Sequence, residues 1–278
     1  MTTRLLASDI DGTLLGSDEQ PSVRTLAALR AAEDAGWVVV LATGRPPRYV
    51  DPAVEALGVH GFAVCNNGAT VYDPVQRRIV REVELSQATA LEVVDRLRGI
   101  EPELIFAADW GFELAAEQAW LDHIHWPVPS DIHVGPAEEF LTGPVAKLFA
   151  FHPAMDSDEL AHHTRGILHD LAEVTSSSGS GVIEICARGV TKGSALARVA
   201  ADLGIGPDEV VSFGDMPNDT EMLQWAGLGV AMGNAHPAVK AAADEVTATN
   251  DEDGVALVVE RLLAGRAEDR IGVIPDKL

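Results

Sequence analysis

The chain has 278 residues, with 20 Lys+Arg against 43 Asp+Glu and a formal net charge of −23. Its length suggests about two domains, and 47% hydrophobic with 23% charged residues is ordinary for a protein with a real core, not a disordered chain. Such acidity disfavours binding to nucleic acid or to an anionic membrane through a polybasic patch, both of which need a basic surface.

The first apolar stretch, within MTTRLLASDIDGTLL, is cut by Asp9 and Asp11, so no secretory signal is expected. Nor is a membrane span, because no apolar run reaches about 18 residues. Residues 4–9 form a short apolar run that ends in a polar, Gly-containing turn. The 21–35 segment reads as a helix, with Pro21 in its first turn and Gly36 as its stop. The β-branched run 37–42 reads as a buried parallel strand, followed by Thr43-Gly44-Arg45 and a helix over 47–57. Strands at 62–65, 69–73 and 78–83 complete the first part, the first of them leading into Asn66-Asn67-Gly68.

The middle has a different texture. A helix is predicted over 86–98 and strands over 103–108 and 111–115; a loop-rich stretch around 126–136 carries Pro127, Pro129 and Pro136. A strand at 145–151, a helix at 156–171 and strands at 173–178 and 182–187 follow. Alternation then resumes. Helices are predicted over 192–203, 217–226, 236–243 and 253–264, and strands over 209–213, 228–232 and near 245–248. Strand–helix alternation implies a parallel sheet covered on both faces. The fold class is therefore α/β, a Rossmann-like parallel-sheet core with an inserted α+β domain. The cysteines, Cys65 and Cys186, are too few and too far apart for a disulfide framework and read as buried thiols in a reducing cytoplasm.

Four clusters carry chemistry. In Asp9-Ile10-Asp11-Gly12-Thr13 two carboxylates leave the carboxyl edge of the first strand, where open α/β sheets bind ligands. One carboxylate there can attack phosphorus or bind a hard cation while another moves a proton. The same residues also suit a loop of Asx-turns. Thr43 can donate to a phosphate oxygen or serve as a cap or turn hydroxyl. Gly44 permits close backbone approach, and Arg45 can face an anion or solvent. Lys192 opens a helix and favours an anion, though lysines are most often surface residues. In Gly214-Asp215-Met216-Pro217-Asn218-Asp219 the carboxylates suit Mg²⁺, or simply cap the next helix. Together the clusters suit metal-assisted phosphoryl transfer. The sequence has no P-loop, G-x-G-x-x-G or zinc motif. His162 and His163 point apart on one helix and read as solvated, and His123 and His125 flank a loop. Trp110, Trp120 and Trp126 can line a pocket or pack in a core. Asn250–Asp253 reads as an exposed helix start.

The ordered set DIDGT, ATGR, TKG and GDMPND resembles the haloacid dehalogenase (HAD) superfamily, and within it the Cof-type sugar-phosphatase branch. The resemblance covers 1–84 and 188–264 and implies a split core, 1–84 and 188–278, with a large α/β cap at 85–187. It implies that Asp9 is the nucleophile, forming an aspartyl-phosphate, and that Asp11 is the general acid and base. Thr43 and Lys192 would bind and neutralise the transferring phosphoryl group, with Gly44, Arg45 and Asn218 lining the substrate side. Mg²⁺ would be held by Asp9, the Asp11 carbonyl and Asp215, with Asp219 supporting that shell or holding Lys192. The implied protein is a cytoplasmic phosphatase of small phosphorylated metabolites, with sugar phosphates foremost and neither nucleic acid nor membrane as partner. A phosphomutase or phosphotransferase on the same site, and a non-catalytic metabolite sensor, are the alternatives.

Overall fold

The structure is a computed structural model that describes residues 3–124, 128–177 and 180–271, with side chains through 265. The first part of the chain runs β1 (Leu5–Ser8), α1 (Val23–Asp34), β2 (Val38–Ala42), α2 (Asp51–Leu57), β3 (Ala63–Cys65), β4 (Thr70–Asp73) and β5 (Arg78–Glu82). The insert begins with α3 (Gln87–Ile100), β6 (Ile105–Asp109), β7 (Leu114–Ala116), α4 (Gln118–His123) and β8 (His133–Val134). It ends with α5 (Ala137–Phe140), β9 (Lys147–Phe151), α6 (Ser157–Leu168), β10 (Ala172–Thr175) and β11 (Val182–Ala187). The last part runs α7 (Lys192–Asp202), β12 (Val210–Gly214), α8 (Thr220–Trp225), β13 (Leu228–Ala231), α9 (Pro237–Ala242), β14 (Glu245–Val246) and α10 (Gly254–Ile271).

The first and last parts share one sheet, ordered β14-β13-β12-β1-β2-β3-β4-β5. From β14 to β3 every pairing is parallel. Period-two alternation sorts its side chains. Leu6, Val39, Leu41, Val211 and Phe213 pack on one face with Leu29 of α1 and Val255 and Val259 of α10. Leu5, Ala7, Val40, Ala42 and Val210 pack on the other with Leu196 and Val199 of α7 and Met222 of α8. Both faces are covered, which is why these strands are apolar throughout.

The insert builds a second sheet, β10-β11-β9-β6-β7-β8, antiparallel except for β7 with β8. Leu148, Ala150, Ile183 and Ile185 pack against Val93, Val94 and Leu97 of α3 and Leu160 of α6. The alternate residues Lys147, Phe149 and Glu184 leave the opposite face, toward the first sheet. Side chains cap the helices as their sequences demand: Ser22, Ser86 and Asp156 accept from Thr25, Thr89 and Glu159 backbone N–H groups.

Several elements depart from the sequence reading. β4 and β5 form an antiparallel hairpin at the edge of the otherwise parallel sheet. The single helix expected over 47–57 is a 3₁₀ turn at Pro47–Tyr49 followed by α2, because Pro46, Pro47 and Pro52 crowd the segment. α4, α5 and β8 were not expected; at six, four and two residues they are too short to show a period. His125, Trp126, Pro127 and Ser178 lie outside the described residues. Among those described, no helix is long and apolar enough to cross a membrane.

Leu29 is 1% exposed within the packing of α1 against the sheet and α10. Leu29→Ala is expected to cost about 2–5 kcal/mol. It should lower the denaturant midpoint without changing the slope; an unshifted midpoint would contradict this packing.

Candidate active site

β1 pairs in parallel with β12 on one side and β2 on the other, and Ser8 stands level with Phe213 and Leu41. The three strands therefore end on one rim. Asp9 continues β1, its N–H donating to the Phe213 carbonyl at 3.0 Å. Thr43 follows β2 and Asp215 follows β12. Lys192 starts α7, with Thr191 as its cap in a reciprocal box with Ser194. Segments nearly 200 residues apart thus meet at one place.

The central contact is ionic. Lys192 Nζ donates to Asp9 Oδ1 and to Asp219 Oδ1, both at 2.7 Å. All three residues are buried. Asp219 is fully engaged, because its Oδ2 accepts from the N–H groups of Asp215 and Met216 at 3.0 Å. Asp215 Oδ1 accepts from Thr13 Oγ1 at 3.2 Å. Two glycines make room. Gly12 sits at φ +73°, and a Cβ there would fall 2.5 Å from Asp215 Oδ2; one on Gly214 would fall 2.4 Å from Asp219 Cβ.

Carboxylate oxygens of Asp9, Asp215 and Asp219 lie within 4.8 Å of one another. Three buried carboxylates face one ammonium, and proton affinities register the imbalance. Burial pushes the Asp9 carboxyl well above its usual range; Lys192 pulls against this, while Asp219, Asp215 and Asp11 add to it. Burial, with Asp219 next, pushes Asp215 up to about 7. Burial opposes the charge on Lys192, but Asp219 and Asp9 outweigh it and hold the ammonium protonated. The donor set fits a hard divalent cation. It is all oxygen, short of positive charge, and retains an oxygen on Asp9 and on Asp215 beyond the bonds described.

The other sequence candidates divide. Asp9, Asp11, Gly44, Arg45, Lys192 and Asn218 line one cavity of about 570 Å³. Asp11 is half exposed and turned to Arg45, whose Nε donates to it at 2.8 Å and whose Nη2 makes a second bond. Thr43 is buried and lies outside the cavity lining; its Oγ1 accepts the Arg45 N–H at 3.0 Å, a turn hydroxyl. Asp215 and Asp219 stand behind the lining. Trp120 both packs on Phe149 and lines the cavity, whereas Trp110 packs on the insert's helical face and lines a separate cavity of about 610 Å³. His162 and His163 are exposed, and Asn250–Glu252 is an exposed 3₁₀ turn before α10.

Several polar residues in or beside the lining escaped the sequence reading. Lys147 Nζ donates to Glu184 Oε1 at 2.7 Å and to the Gly44 carbonyl at 2.6 Å. Arg48 pairs with buried Asp109 at 2.6 Å. Asn67, left-handed at φ +53°, accepts from Asn218 Nδ2 at 2.9 Å. The signal for Lys147 and Glu184 is a charge inside an apolar strand, VAKLFAF and GVIEICA, which solvent does not explain.

The family model for haloacid dehalogenase-like hydrolases matches residues 6–259. The phosphatase YwpJ of Bacillus subtilis (strain 168) is 32% identical, over 94% of this chain and all of that one. The pyridoxal phosphate phosphatase YbhA of Escherichia coli (strain K12) is 29% identical, over 92% and 97%. A solved HAD subclass IIB sugar phosphatase superposes with a TM-score of 0.78 at 26% identity, over 93% and 98%. Fold and family together define an enzyme, a phosphomonoester hydrolase. The chain belongs to the haloacid dehalogenase-like hydrolases.

The Asp215 shift has a signed consequence. A carboxyl raised from 3.8 to about 7 binds its proton more tightly folded than unfolded. Ionising it therefore lowers stability as pH rises from about 4 to about 7. In chelator, Asp215→Asn should be no more stable than the parent near pH 4 and more stable near pH 7, by on the order of 2–4 kcal/mol. Equal stability of parent and variant at both ends would refute the shift.

Proposed function

We propose that the chain is a Mg²⁺-dependent phosphatase of small phosphorylated metabolites that works through an aspartyl-phosphate on Asp9. The observation that carries the reading is the buried Lys192 bridge between Asp9 and Asp219, beside Asp215. The bridge occupies Asp9 Oδ1 and leaves the other oxygen for attack. That oxygen forms a bond to phosphorus as the bond to the leaving oxygen breaks. Asp11 gives its proton to the leaving oxygen, then takes one from the water that displaces Asp9. At rest Arg45 holds the Asp11 carboxyl. An arriving phosphate offers Arg45 a second anion and frees Asp11, which takes a proton from solvent and passes it to the leaving oxygen in the first step. Lys192 offsets the charge of the transferring group, Asn218 and Gly44 line its approach, and Thr43 holds the turn on which Arg45 sits.

Mg²⁺, held by Asp9, Asp215 and the Asp11 carbonyl, would supply the positive charge that lets an anionic nucleophile approach a phosphate. We further propose that 1–84 and 188–278 act as the core and 85–187 as a cap over the site. Substrates are small phosphate esters, by analogy with relatives named for pyridoxal phosphate and sugar phosphates. Two buried free cysteines suit a cytoplasmic setting.

Asp9→Asn should lower phosphate release by about a thousandfold or more while circular dichroism and melting stay native-like. Unchanged release by a folded variant would reject Asp9 as nucleophile. Chelation should stop the parent and added Mg²⁺ restore it, whereas Asp215→Ala should need a much higher Mg²⁺ concentration. A normal metal titration of that variant would remove Asp215 from the metal site. A second sugar hydroxyl that captured the phosphoryl group in place of water would make the enzyme a phosphotransferase.

A further inference from the structure

The turn between β3 and β4, Asn66–Gly68, lies behind the cavity lining, yet several pieces of the phosphate end meet on it. Asn66 and Asn67 are left-handed, at φ +50° and +53°, a conformation that asparagine accepts more readily than most side chains. The bend aims two backbone N–H groups at the rim. That of Asn67 donates to the Thr43 carbonyl at 3.1 Å, and that of Asn66 to the Arg45 carbonyl at 3.0 Å. Gly68, at φ +106°, brings the turn against the Thr191 carbonyl, at the cap of the helix that Lys192 opens; a Cβ there would fall 2.2 Å from that oxygen. The backbone of Asn67 is therefore fixed on the rim, and its side chain starts from a fixed point.

That side chain is 1% exposed and uses both ends of its amide. Its Oδ1 accepts from Asn218 Nδ2 at 2.9 Å, and its Nδ2 donates to Thr175 Oγ1 of the insert at 3.3 Å. It also bonds Glu184. Burial opposes the charge on Glu184, but Lys147 outweighs it, and hydrogen bonds from Asn67 and Ser177 add to the hold. An ionised carboxylate only accepts, so Asn67 must turn its NH2 group to Glu184. Its oxygen is then left for Asn218, which in turn must present NH2 to it. The Asn218 amide, which lines the cavity, thus has one orientation, set from the insert through Asn67.

Resting on the phosphatase reading above, we propose that Asn67 is a positioning residue for phosphate binding: it holds the Asn218 amide in its binding orientation and takes its own orientation from Glu184 and Thr175 of the insert. It touches no reacting atom. The Asn218 nitrogen spends one hydrogen on Asn67 and keeps the other for a phosphate oxygen. Without Asn67 the Asn218 amide turns freely, the fraction of molecules in the binding orientation falls, and the apparent affinity falls by that fraction. Ground state and transition state lose the same contact, so the loss goes to KM and not to kcat. Glycine at position 67 isolates this effect. It takes a left-handed backbone without strain and retains the N–H bond to Thr43, while the amide side chain is gone.

The test measures kcat and KM for p-nitrophenyl phosphate, and the calorimetric Kd for inorganic phosphate, both with Mg²⁺ present. It compares the parent, Asn67→Gly, Asn218→Ala and the double variant. Asn67→Gly should raise KM and the phosphate Kd by about tenfold each and leave kcat within about threefold. In the Asn218→Ala background, Asn67→Gly should add less than about twofold, since the group it positions is gone. A folded Asn67→Gly with unmoved KM and Kd would overturn the proposal. So would a loss confined to kcat, or losses that multiply in full in the double variant. Should Asn67→Gly not fold, Asn67→Ser, whose side chain is too short to reach Asn218, carries the same expectations. Weaker phosphate binding by Asn67→Gly, with no release from the parent, would sink the phosphatase reading and keep the role of Asn67. Normal release by the parent, with KM and Kd unmoved in the variant, would do the reverse. A parent that neither releases nor binds phosphate would end both.

Discussion

The site depends on one buried ammonium. Lys192 is 1% exposed and lies between Asp9 and Asp219 at equal distances. An unpaired charge there would cost several kcal/mol, and two or three carboxylates without it would repel one another. The bridge therefore fastens three remote pieces of chain at once: the end of β1, the start of α7 and the turn after β12. Asp219 passes the constraint on, since its second oxygen holds the backbone N–H groups that place Asp215. The arrangement remains short of positive charge, and that deficit makes the rim receptive to a divalent cation and then to a phosphate.

A second buried pair governs the insert by the same rule. Lys147 and Glu184 project from adjacent strands on the face of the second sheet turned toward β1. The insert meets the core through polar contacts, Lys147 on the Gly44 carbonyl, Arg48 on the Gly111 carbonyl, Asn67 on Thr175 and His236 on Asp158, and through apolar ones, Ala69 with Ala146 and Cys186 and Tyr72 with Phe112. Polar contacts of this sort exchange readily with water.

The placement of the acidic clusters was legible in the sequence because strand periodicity and strand ends are local. An Asp pair after a buried run, and an Asp–Asn–Asp cluster after another, must leave a parallel sheet on the same rim. Asp9 and Asp215 reach one rim in that way, once the order of strands brings β1 beside β12, whereas singling out Lys192 and Asp219, which open helices, took the resemblance of the ordered motifs as well. The bond between Asp11 and Arg45 was not legible, because it depends on how two turns face each other across the rim. Thr43 shows the same limit: its backbone position was right, but which group its hydroxyl meets is set by the conformation of Arg45. Lys147 and Glu184 left only a faint trace, a single charge in each of two apolar strands. Their partnership is a matter of register between β9 and β11, 37 residues apart along the chain. The short elements α4, α5 and β8 hold their form through tertiary packing and carry too few residues for a pattern.

The distribution of charge joins these observations. The chain carries a net charge of −23, so its average field repels a phosphate ester. Of its 20 Lys and Arg residues, Arg45, Arg48, Lys147 and Lys192 line a single cavity. Each is paired with a carboxylate, so the cluster is neutralised at rest and stores no unbalanced positive field. On the proposed reading, an incoming dianion would enter by exchange, displacing one carboxylate from its cation. Asp11 is the partner most open to displacement, since its side chain is 54% exposed while those of Asp9, Asp109 and Glu184 are nearly closed to water. On the proposed mechanism, that exposure would couple binding to release of the carboxylate assigned to move a proton, and so would link recognition of the phosphate to the start of its transfer.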